Sequence, residues 1–123
     1  MIYLSLSALK YAANICEELP KYKVGIAIPH SIYSEQLINI ISTHIEDTGV
    51  KIVKSIYNAK IEFSNGSSIR FIDASDNLRG ITLNLLIVDY SINRTIIDRM
   101  LLPCEKVDYY KMYNAEDKIE YHY

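Results

Sequence analysis

Apolar residues recur along this chain with two different periods. Leu6, Leu9, Ala13, Cys16 and Leu19 fall at three- and four-residue steps. That spacing predicts an amphipathic helix from Ser7 to Leu19, stopped by Pro20. Lys23 to Ile28, KVGIAI, is a short apolar run closed by Pro29 and predicts a strand. Ser31 is placed to cap a second helix, because its hydroxyl can accept a backbone N–H. Leu37, Ile40, Ile41, His44 and Ile45 give that helix its face, and Gly49 offers it a C-terminal stop.

The next segment changes period. Lys60 to Ile72, KIEFSNGSSIRFI, predicts a hairpin around Asn65-Gly66. A two-residue turn would pair Ile61 with Arg70 and split the apolar residues between two faces. A three-residue turn, Ser64-Asn65-Gly66, pairs Ile61 with Ile69 and Ala59 with Phe71. It gathers one apolar face and puts Gly66 in the left-handed position, so it is the expected register. Leu83 to Asp89 reads as a buried strand, and Arg94 to Leu101 as a short helix ending before Pro103. From Val107 the chain is rich in tyrosine and is expected to form two strands around Asn114-Ala115-Glu116-Asp117. Helices alternating with strands predict an α/β fold with a mainly parallel sheet flanked by helices.

Composition narrows the classes. The 123 residues carry a formal net charge of −2, and 50% are apolar. This suits a single domain spanning 1–123, with a real core and no nucleic-acid footprint at the level of the whole chain. Cys16 and Cys104 lie far apart and are expected to be free thiols in a reducing compartment. His30, His44 and His122 are scattered, so no zinc site is expected. MIYLSLSALK lacks the build of a secretory signal, and no apolar run approaches the ~20 residues of a membrane span. The expectation is a soluble cytoplasmic protein with no membrane contact.

NLLIVDYS, residues 84–91, carries the candidate chemistry. Apolar residues running into an aspartate are the form of a buried strand delivering a carboxylate to a site at its carboxyl end. Taken in order with KVGIAIPHSIYSEQLINII and IEFSNGSSIRFIDASDNLRG, this segment resembles the ATPase domain of the large terminase subunit. That family is the DNA-packaging motor of tailed phages. The resemblance spans residues 7–95 and implies a partial RecA-like P-loop NTPase core. It implies that Leu86, Ile87, Val88, Asp89 and Tyr90 are a vestigial Walker B strand, and that Arg79 stands where phosphate or DNA is contacted.

Two departures from the family bear on activity. No glycine of the chain precedes a lysine, and MIYLSLS offers no phosphate-cradling loop. Tyr90 replaces the glutamate that activates water, and a phenol with a pKa near ~10 is a poor base at neutral pH. The expectation is therefore a catalytically inactive protein with no cofactor, no metal and no catalytic residue, lacking the family's later strands and nuclease domain. Resemblance to a ring-forming motor of viral origin points to a protein partner: a packaging ATPase subunit, the portal, or a second copy. Tyr109, Tyr110, Tyr113, Tyr121 and Tyr123 are the candidate partner surface, since tyrosine is enriched at interfaces. Two other readings stay open. One is a nucleic-acid-binding module using Arg70, Arg79, Arg94 and Arg99. The other is half of a split packaging ATPase.

Each feature also has an ordinary structural role. Asp89 can cap the next turn, Tyr90 can fill a rim, and Arg79 can sit in a surface salt bridge. Asn65-Gly66-Ser67 can be turn chemistry, His30 a solvated loop residue, and the tail tyrosines part of the core.

Overall fold

The computed structural model describes residues 2–55, 58–74, 82–101 and 108–110, with 100, 101 and 108–110 by backbone alone. Helix α1 spans Leu6–Glu18 and leads into β1, Lys23–Ile28. A 3-10 turn at Ser31–Tyr33 precedes α2, Ser34–Ser42. Three strands follow: β2 at Lys51–Val53, β3 at Lys60–Glu62 and β4 at Ser68–Asp73. Strand β5 covers Leu85–Val88, α3 covers Arg94–Leu101, and β6 covers Asp108–Tyr110.

The strands form one sheet in the order β2-β3-β4-β1-β5-β6. Pairs β4/β1, β1/β5 and β5/β6 are parallel, and pairs β2/β3 and β3/β4 are antiparallel. The α/β class holds, but the sheet is mixed rather than mainly parallel. The reason is the hairpin, which reverses the chain at β3 and gives that half of the sheet antiparallel neighbours.

The two faces have separate cores. On one face Val24, Ile26, Ile28, Ile61, Ile69, Phe71, Leu85 and Ile87 pack beneath α1 and α2. Alternate residues point the other way, where Ala27, Ile72, Leu86 and Val88 meet Ile92 and Ile97 beside α3. Strand β5 is therefore buried on both faces, which is why it reads as an unbroken apolar run. Gly25 lies on the α3 face. A Cβ there would fall 2.7 Å from Leu83 Cδ1 and 2.9 Å from Ile72 Cδ1, so the position takes only glycine without repacking.

The hairpin adopts the three-residue register, with Ile61 opposite Ile69 and Glu62 opposite Ser68. The Phe71 N–H donates to Ala59 O, and Gly66 has φ 85°. Its tip is pinned to the end of α1. Asn65 Nδ2 donates to Cys16 O at 2.8 Å, and Ser67 Oγ donates to Leu19 O at 2.5 Å.

Three boundaries differ from expectation. Leu19 is 43% exposed and lies past the end of α1, whose buried stripe is Ala8, Leu9, Ala12, Ala13 and Cys16. His30, not Ser31, caps the turn before α2, its Nδ1 accepting from the Ile32 N–H at 3.2 Å. Helix α2 stops at Ser42, well before Gly49. There the hydroxyls of Ser42 and Thr43 bond back to the carbonyls of Asn39 and Ile40, satisfying groups that a further turn would have used.

Among the described residues, no helix is long and apolar enough to cross a membrane.

Candidate functional site

Parallel strands bring their carboxyl ends to one rim. The chain leaves β1 toward α2 on one face and leaves β5 toward α3 on the other. Neighbouring parallel strands with such divergent exits open a crevice, the usual ligand position in α/β sheets. Asp89 follows β5 at this crevice, and Asp73 ends β4 on the other side of β1.

Asp89 is fully buried. Its Oδ2 accepts from the Tyr3 N–H at 2.7 Å. Its Oδ1 accepts from the Ser91 N–H at 2.9 Å and from Ser91 Oγ at 2.6 Å. The Tyr90 N–H in turn donates to Tyr3 O. The N-terminal segment thus lies across the end of β5, held there by Ile2 and Leu4 in the core. Both carboxylate oxygens face hydrogen-bond donors, whose positive ends repel a cation. Asp89 as arranged caps the following turn and fastens the N-terminal segment; a metal would first have to displace these donors.

Asp73 has a matching arrangement. Its Oδ2 accepts from the Ser31 N–H at 2.9 Å and from Ser31 Oγ at 2.7 Å. Ser31 is therefore used as a tether between the ends of β1 and β4 rather than as a helix cap. This carboxylate was not singled out in the sequence. The signal was present, since Phe71-Ile72-Asp73 repeats the apolar-to-aspartate form of Ile87-Val88-Asp89.

The remaining candidates separate. Leu86, Ile87 and Val88 are buried strand residues, whereas Tyr90 is 59% exposed on the rim. His30 is exposed, two residues past the end of β1. Tyr109 and Tyr110 belong to β6, whose backbone pairs with Leu86 and Ile87 along the outer edge of β5. Arg79, Tyr113, Tyr121, Tyr123 and Cys104 lie outside the described residues. Of the arginines, Arg94 makes an exposed contact with Asp98 at 3.9 Å, and Arg99 is exposed on the same helix. Arg70 sits on the sheet, donating to Asn58 Oδ1 at 3.1 Å. Arg70 thus belongs to β4, and Arg94 and Arg99 to α3. No cluster of three or more histidine, cysteine or acidic residues forms a metal-binding group among the described residues.

Cys16 is a free, buried thiol, and burial pushes its pKa up from 9.0 to about 12. It is chemically quiet and belongs to the core.

Comparison of the chain with protein-family models, with curated proteins and with solved structures finds no match.

Proposed function

We propose that this chain is a non-hydrolytic relative of the terminase ATPase core, acting as a protein-interaction module in or against DNA packaging. The observation that carries the reading is the state of Asp89. The carboxylate at the end of the apolar strand is engaged by its own chain's donors, and the next residue is an exposed tyrosine rather than a base. Such a rim supports a scaffold better than a hydrolytic site. The partner is a packaging ATPase subunit or the portal, met through the tyrosine-rich tail.

The test is a pull-down of the tagged chain from a phage-infected host, with co-purifying proteins identified by mass spectrometry. Because β6 pairs with β5, the tail is best altered by Tyr113→Ser, Tyr121→Ser and Tyr123→Ser rather than by deletion from Val107. Recovery of a packaging subunit or portal, lost in the triple variant, is the expected result. ATP turnover by the purified chain that disappears on Asp89→Asn would refute the reading, as would failure to recover either partner.

A further inference from the structure

At the amino end of the parallel strands, far along the sheet from Asp89, the α3 face is differently built. Register places Lys60 opposite Arg70, Arg70 opposite Gly25, and both Lys23 and Glu62 opposite Ser68. Alternation sends these side chains to the face that carries α3. That helix packs over β1 and β5 further along, through Ile97, with Ile92 of the preceding turn beside it. Among the described residues no helix packs over the hairpin half of this face. A cavity of about 420 Å3 opens there, lined by Lys23, Lys60, Glu62, Ser68, Arg70 and Thr82 among others.

Its charge is lopsided. Three cations stand against Glu62, the one carboxylate lining the cavity among the described residues. Lys60 pairs with Glu62 at 2.9 Å. Lys23 Nζ donates to the carbonyl of Gly66 at 2.7 Å, and Arg70 to the amide oxygen of Asn58. Neutral acceptors position these two cations without cancelling their charge. The Lys60 hydrogen bond and charge hold the Glu62 carboxyl below its usual range, and Lys51 and Lys23 add to the effect. Three basic groups thus line one cavity, in a chain whose net charge is −2.

We propose that this cavity is a binding site for a small molecule bearing phosphate-type oxyanions. Arg70 supplies the planar fork suited to a phosphate, and Lys23 and Lys60 supply point charges. Ser68 and Thr82 add hydroxyl donors. The volume is that of a small-ligand site. A free phosphorylated molecule fits better than a nucleic-acid strand, because Phe63, the one aromatic residue lining the cavity among the described residues, is buried in the opposite core and offers no stacking surface. The site is separate from the Asp89 rim and does not depend on the terminase reading.

Calorimetric titration of the full chain at low salt tests this, with inorganic tripolyphosphate as one probe and a deoxythymidine 12-mer as the other. Tripolyphosphate should bind, and Arg70→Gln and Lys23→Gln should each weaken it at least tenfold. Lys10→Gln, on the exposed side of α1, should leave it unchanged. Circular dichroism of each variant separates loss of binding from loss of fold, and Arg70→Lys, which keeps the charge but not the fork, should bind with intermediate affinity. The proposal falls if tripolyphosphate does not bind at millimolar concentration, or binds regardless of Arg70 and Lys23. It falls equally if the 12-mer binds more tightly than tripolyphosphate, which would place the phosphates on a nucleic-acid backbone.

Discussion

Replacing Asp89 with asparagine removes a charge while keeping size and shape. The wild-type carboxylate serves two backbone N–H groups and one hydroxyl at 2.6–2.9 Å, with no exposure to water. Asparagine retains one acceptor oxygen, so it can serve Tyr3 or Ser91 but not both. Its NH2 group must face the donor that is left. A hydrogen bond to a charged group contributes about 1.5–3 kcal/mol, and a stranded buried donor costs about 1–3 kcal/mol. Asp89→Asn should therefore destabilise the fold by about 2–4 kcal/mol, a large part of the roughly 5–15 kcal/mol available to a domain. Urea unfolding followed by circular dichroism reads this directly. With a slope of about 1–3 kcal/mol per molar, the midpoint should fall by about 1 M or more at unchanged slope. Ser91→Ala should cost less, about 1.5 kcal/mol, because only the hydroxyl bond is lost and its N–H remains. The double variant should show a coupling of at least about 0.5 kcal/mol. A midpoint that stays put or rises on Asp89→Asn would refute the reasoning. That behaviour belongs to a carboxylate held for function at the expense of stability.

Gly66→Ala places a Cβ at φ 85° with Lys21 Cγ 3.3 Å away, and should cost about 1–2 kcal/mol in the same unfolding assay. Gly25→Ala drives a methyl group into Leu83, Ile72 and Leu86 and should cost about 1–3 kcal/mol, with a parallel fall in melting temperature. In a Cys104→Ser background, Cys16 should resist alkylation at pH 8 until the protein is unfolded. Its folded pKa is raised, so its contribution to stability is complete below 9.0 and is lost as pH rises toward about 12. A pH titration of the urea midpoint measures that loss.

What the sequence discloses here depends on how local the cause is. The hairpin register follows from Ile61, Ile69 and a glycine that can turn left-handed, all within a few residues, and it was legible. So were β1 and α3, bounded by Pro29 and Pro103 and capped by nearby residues such as Asn93, whose Oδ1 accepts from the Ile96 N–H. The Asp89–Ser91 turn is similarly short-range. The other half of the Asp89 arrangement, the Tyr3 N–H, comes from the far end of the chain and has no local mark. Ser31 looked like a cap because its hydroxyl suits one; its engagement with Asp73 is set by which strands become neighbours. The basic cavity was hidden for the same reason, because Lys23, Lys60 and Arg70 converge only when β1, β3 and β4 lie side by side. Arg70 alone was visible as a candidate.

Strand β1 also sets a timetable. It is made early, yet both of its neighbours arrive late, β4 from residue 68 and β5 from residue 85. A chain emerging from the ribosome carries KVGIAI with two bare edges until the hairpin has formed and swung across to meet it. Parallel pairing of this kind requires a long loop to close before any ladder bond is gained, so folding should be slow relative to the helix-rich start. Through that interval β1 is the segment most open to wrong partners, and α1, with its stripe of alanines, is the first surface able to shelter it.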